Sequence, residues 1–101
     1  MGGEKGRFLK PFVKKLRARY PGARVILFGS RARGDVNEKS DYDLIVIAGF
    51  AKRFFDRVTD VSELAPAGAR VDVLPYTPAE FEQVKDRAFF REVLKESVEL
   101  T

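Results

Sequence analysis

The chain contains no cysteine and no histidine. The first absence removes disulfides, thiolate metal sites and a cysteine nucleophile. The second removes an imidazole base, a Ser-His-Asp triad and a histidine-ligated zinc. Any metal must then be a hard cation held by oxygen, and acid–base work falls to Asp, Glu, Lys, Arg, Tyr or substrate groups. No apolar run approaches the ~18 residues of a membrane span and no signal-like segment follows Met1, so a soluble, cytoplasmic protein is expected. The 101 residues suit one domain spanning 1–101, with residues 1–6 flexible and no room for a separate substrate domain.

Acidic residues are scarce in the first third. Residues 1–34 hold ten Lys/Arg against Glu4 alone, whereas residues 35–101 hold nine against fourteen acids. A basic end beside an acidic remainder attracts polyanions such as nucleic acid or a nucleoside triphosphate, and a solvated helix face is the plainer account. No aromatic platform backs residues 5–24 as a nucleic-acid surface, so direct nucleic-acid binding is not expected.

Phe8, Phe12, Val13, Leu16 and Tyr20 recur at helical spacing, with Pro11 in the first turn and Pro21-Gly22 as the stop. Arg24–Phe28 is a short apolar run ending at Gly29-Ser30, which reads as a buried strand. A loop with one helical turn near Arg31–Arg33 leads to a second strand over 43–48. A helical stripe follows over 51–65, then a third strand, Arg70–Leu74, closed by Pro75. Thr77-Pro78-Ala79-Glu80 is a capping box opening a helix that runs to about Glu96, kinked near Ala88. Val98–Thr101 is a short strand or a tail. The order αβ(α)βαβα predicts an α/β (α+β) fold, a mixed three- to four-stranded sheet flanked by helices.

Three aspartates sit at or in apolar strands. Asp41 and Asp43 flank Tyr42, and side chains at i and i+2 of an extended chain share a face. Two adjacent carboxylates repel unless a cation lies between them. Asp72 stands between Val71 and Val73, with Arg70 as the rival partner. If the second and third strands are neighbours, all three acids converge on a hard-cation site suited to Mg²⁺ and phosphate. Upstream, Gly29 permits close approach, Ser30 offers a hydroxyl beside backbone N–H groups, and Arg31 and Arg33 can neutralise phosphate. Pairing of either arginine with Asp35 or Glu38 is the equal alternative. Ser40 reads as a turn residue and Tyr42 as sheet packing. Phe54-Phe55 and Phe89-Phe90 are adjacent pairs, so one ring of each should face away from the local core.

The string Leu27-Phe28-Gly29-Ser30-Arg31-Ala32-Arg33-Gly34, ten residues from Ser30 to Asp41, then Asp41-Tyr42-Asp43-Leu44 and later Val71-Asp72-Val73, resembles the minimal nucleotidyltransferases of the DNA polymerase β-like superfamily. The resemblance runs along nearly the whole chain. It implies that Gly29 and Ser30, with Arg31 and Arg33, hold the triphosphate of ATP or another NTP. It implies that Asp41, Asp43 and Asp72 are catalytic and bind two Mg²⁺ ions, Asp72 also helping to activate the acceptor hydroxyl. A nucleoside monophosphate would pass to that hydroxyl with release of pyrophosphate. Members of this small branch are commonly antitoxins of HEPN-domain toxins, some adding AMP to a toxin tyrosine. The acceptor would then come from such a partner or from a second copy in a homo-oligomer. The alternative is a non-catalytic antitoxin that neutralises its partner by binding alone.

Overall fold

The apolar stripe at the N-terminal end fixes the first helix, but not through the residue that opens it. In the computed structural model, which describes residues 7–34 and 41–101, a 3-10 turn, Arg7–Leu9, leads into α1, Lys10–Arg19. That turn brings Leu9, not Phe8, into register with Phe12 and Leu16, and these three are fully buried while Phe8 is half exposed. The expectation for residues 1–6, and those for Asp35, Glu38 and Ser40, lie outside the described residues.

Strand β1, Arg24–Phe28, is followed by a single helical turn, α2, Ser30–Arg33, and by β2, Tyr42–Ile47. Helix α3, Phe54–Ser62, crosses over to β3, Val71–Tyr76. The chain ends with α4, Pro78–Val84, α5, Ala88–Lys95, and β4, Val98–Glu99. The sheet order is β3-β2-β1-β4. β1 is antiparallel to both neighbours, and β2 and β3 are parallel, the geometry a helical crossover makes possible.

Two layers of helix cover the sheet. On one face Val25, Leu27, Tyr42, Leu44, Val46 and Val73 pack against Leu9, Phe12 and Leu16, with Val61 of α3. On the other, Ile26, Ile45 and Ile47 pack against Phe81 of α4 and Phe90 of α5. Strand alternation therefore puts Asp41, Asp43 and Asp72 on the second face, beyond the reach of its apolar cover.

Pro75 lies within β3 rather than closing it. The strand is at the sheet edge, where a missing N–H breaks no ladder bond. The helix expected over 77–96 is two helices. Phe81 and Phe90 are nine residues apart and would be half a turn out of phase on one straight helix. The break at residues 85–87 lets both rings enter the same core.

At the far end of β3 a buried charge is fully partnered. Arg57, 9% exposed, donates to Glu80 Oε1 at 2.6 Å and Oε2 at 3.3 Å, and to the carbonyls of Lys52 and Pro75 at 2.6 and 3.3 Å. Glu80 also accepts from the Thr77 N–H at 2.8 Å, while its own N–H donates to the Thr77 hydroxyl, completing the expected capping box. These bonds hold the Glu80 carboxyl down at about 2.

Candidate active site

The start of β2 brings the acids together by register. Asp43 is the direct partner of Asp72 across the parallel pair and of Phe28 across the antiparallel one. Asp41, two residues earlier, lies on the same side. The condition set by the sequence, that the second and third strands be neighbours, is met.

Gly29, immediately after β1, has φ 75° and ψ −158°, a region open essentially to glycine alone. A Cβ there would overlap Asp43 Oδ2. The Asp43 carboxylate thus takes the space beside the Gly29 backbone, which is why this strand end has no side chain. The Gly29 carbonyl accepts from the N–H groups of Ala32 and Arg33 at 3.1 Å each, turning the chain into α2 so that its opening N–H groups face away from the helix. Gly34, φ 86°, closes that turn as a left-handed cap.

Electrostatically the corner is poised against itself. Partial burial pushes the Asp43 carboxyl above the usual carboxylate range, and the charges of Asp72 and Asp41 push it further, with Arg33 opposing. Asp41 Oδ1 is buried without a hydrogen bond among the described residues, and Arg70 Nε stands 3.4 Å away at ion-pair distance. Arg70 therefore serves Asp41 across the strand pair, not Asp72 as its alternation on the strand suggested.

The convergence is one of backbone positions rather than of carboxyl groups. Among the described residues no three acidic side chains are close enough to grip one ion. Asp41 leans on Arg70, Asp43 on Gly29, and Asp72 is exposed to solvent, as mutual repulsion dictates. The donor set nonetheless fits a hard divalent cation. Every candidate donor is a carboxylate oxygen, Asp41 Oδ1 is buried with an ion-pair neighbour but no hydrogen bond among the described residues, and Asp41 and Asp72 both disfavour the charged form of Asp43.

The two arginines diverge. Arg31 lays its guanidinium over the Tyr42 ring at 4.0 Å, on the opposite face of β2 from the acids, and Phe8 stacks on the same ring. Arg33 stays on the acids' side and faces Glu96 at 3.8 Å. A cleft of about 250 Å³ opens there, between Phe28, Gly29 and Arg33 on one wall and, on the other, Glu92, Val93 and Lys95 of α5 with Glu96, the residue that caps it. The α5 wall was not foreseen, since the sequence shows only an amphipathic helix and nothing in its period says which exposed residues meet Gly29. Of the phenylalanine pairs, Phe55 (82% exposed) and Phe89 (57%) face outward, as adjacency required.

Comparison with known proteins adds a second line. Residues 9–98 match the model of the nucleotidyltransferase domain family. A Methanocaldococcus jannaschii protein named "putative protein adenylyltransferase" is 34% identical over 92 residues, covering 87% of this chain and 89% of that one. The crystal structure of a "putative nucleotidyltransferase" from Sulfolobus solfataricus superposes with a TM-score of 0.63 at 31% identity, covering 84% of this chain and 78% of that one.

Proposed function

The chain belongs to the nucleotidyltransferase domain family, and from that premise we propose that it moves AMP from ATP to a hydroxyl on a partner protein, a HEPN-type toxin that it silences as antitoxin. The protein acceptor is supported by the name of the Methanocaldococcus jannaschii relative. The toxin partner is supported by the likeness of Leu27–Gly34 and Ser40–Leu44 to the small prokaryotic branch of the family. The observation that carries the reading is the Asp43–Asp72 register pair with the Gly29 backbone against it.

Asp41, Asp43 and Asp72 would hold divalent cations, two Mg²⁺ in this reading, which when bound supply charge neutralisation at the reacting phosphate and acidify the attacking hydroxyl. Gly29, whose bare backbone makes room for Asp43, turns the chain so that the backbone N–H groups and hydroxyl at the start of α2 would receive the triphosphate. Arg33 adds positive charge on the same side. The acceptor oxygen bonds to the α-phosphorus as the bond to the α–β bridging oxygen breaks, and pyrophosphate leaves with that oxygen. The acceptor proton passes to the Asp72 carboxylate, the most exposed of the three and so the one that can return it to water. Positioning and charge neutralisation carry the rate in such transfers, which is why a site without histidine suffices.

The test is co-incubation of the protein with labelled ATP, Mg²⁺ and its co-purifying partner. Label should appear on the partner and vanish when Asp41 and Asp43 become Asn. Neutralisation of the partner without label, unaffected by those substitutions, would establish the binding-only alternative instead.

A further inference from the structure

The α5 side of the cleft carries charges that the reaction scheme leaves without a task. Lys95 and Arg33 reach the cleft from opposite walls, and each already faces a glutamate: Lys95 Nζ lies 3.2 Å from Oε1 of Glu92 on α5, and Arg33 Nε 3.8 Å from Oε2 of Glu96, which caps α5. We propose that Lys95 binds the triphosphate tail of the nucleotide, and that the tail displaces Glu96 from Arg33 as it enters. The proposal deepens the nucleotidyl-transfer reading and rests on it.

The cleft shares Gly29 and Arg33 with the phosphate cradle, so a nucleotide seated on Gly29 has α5 as its opposite wall. At about 250 Å³ the cleft lies below the ~300–1,000 Å³ of whole-ligand pockets, so it houses part of a nucleotide while the reacting phosphate stays with the acids. Phe28 and Val93 supply apolar wall, and the polar remainder is these four charges. As found, two cations face two anions at the C-terminal, electronegative end of a helix, and that balance does not favour phosphate. It shifts if the glutamates yield. Both ion pairs are solvent-exposed, the Arg33–Glu96 pair is long, and such pairs are weakly held. A polyanionic tail offers each cation several oxygens in place of one carboxylate and wins the exchange.

The experiment is calorimetric titration of the intact protein with ATP and Mg²⁺, comparing wild type, Lys95→Ala, Lys95→Arg and Glu96→Gln, with thermal melts confirming that each is folded. Loss of one charge-assisted contact predicts about tenfold weaker binding for Lys95→Ala. Lys95→Arg should stay within about twofold of wild type, because charge is what is required. Glu96→Gln should bind more tightly, since one anionic competitor for Arg33 is gone. An affinity unmoved by Lys95→Ala or by Glu96→Gln, or a Lys95→Arg protein as weak as Lys95→Ala, overturns the assignment while leaving nucleotide binding by the wild type intact. A wild-type protein that binds no ATP overturns both this and the transfer reading.

Discussion

Charge gathers at both ends of the β2–β3 pair, and the two ends treat it in opposite ways. Where β2 begins, Asp41, Asp43 and Asp72 bring like charges to one face, and Asp43 holds its proton more tightly than an ordinary carboxyl. Where β3 ends, buried Arg57 meets Glu80 within a network of backbone carbonyls and a helix cap, and Glu80 gives up its proton far more readily. The second end is satisfied within the chain. The first keeps an excess of carboxylates that Arg70 and Arg33 offset in part, and in the proposed function cations and phosphate would complete the balance. Charge that the fold satisfies and charge that the proposed function assigns to a ligand thus lie at opposite ends of the same strand pair.

The largest expected effect is at the acid end. If the proposed function holds, Asp41→Asn with Asp43→Asn should lower transfer by at least about 10³-fold, read as label on the partner, because the charges proposed to hold the cations are gone. Asp43→Asn alone should raise the melting temperature, since a carboxylate whose pKa is raised on folding costs stability at neutral pH. Arg57→Ala should do the reverse, costing about 2–3 kcal/mol in urea denaturation. Stranding one partner of a buried pair costs about 3–5 kcal/mol, reduced here because Glu80 is 43% exposed and water screens it. Gly29→Ala should cost about 2 kcal/mol from its backbone region alone and also impair transfer by displacing Asp43. Removing the cap with Thr77→Ala should cost about 1 kcal/mol.

The smallest effect is in the acid titration of the two ends, where the signs oppose. Glu80's contribution is complete above its ordinary value of 4.5 and is lost as pH falls toward about 2. Over that window Glu80→Gln should lose less stability than wild type in thermal melts. Asp43's penalty is complete at neutral pH and is relieved as pH falls through its raised pKa toward 3.8, so Asp43→Asn should flatten that part of the curve.

Much of the acid end was legible in the sequence because its chemistry is local. Asp41 and Asp43 share a face by strand period, Gly29-Ser30 marks a strand end where the backbone must turn, and Thr77–Glu80 announces its own cap. What needed the fold was whatever depends on register between distant segments. Whether Asp72 lay beside Asp43, and whether Arg70 would pair with Asp72 or Asp41, turns on β2–β3 alignment, which no period encodes. The Arg57 network joins α3, β3 and α4 and left no local trace, since a lone arginine in an amphipathic stripe reads as exposed. The same holds for Lys95 and Glu96, which reach Gly29 only because the chain breaks after Val84 and re-phases α5. Leu9 replaced Phe8 in the core because the entry turn is 3-10, and a one-residue difference in winding decides which of two adjacent apolar side chains is buried.

The claim that the acid end is built for an arriving cation and phosphate is tested most directly without any partner protein, by thermal melts of wild type and Asp43→Asn with and without Mg²⁺ and a non-hydrolysable ATP analogue. The wild type should start lower and rise when both are added, and Asp43→Asn should start higher and stay there. A wild-type melt that Mg²⁺ and the analogue leave unmoved would contradict the account.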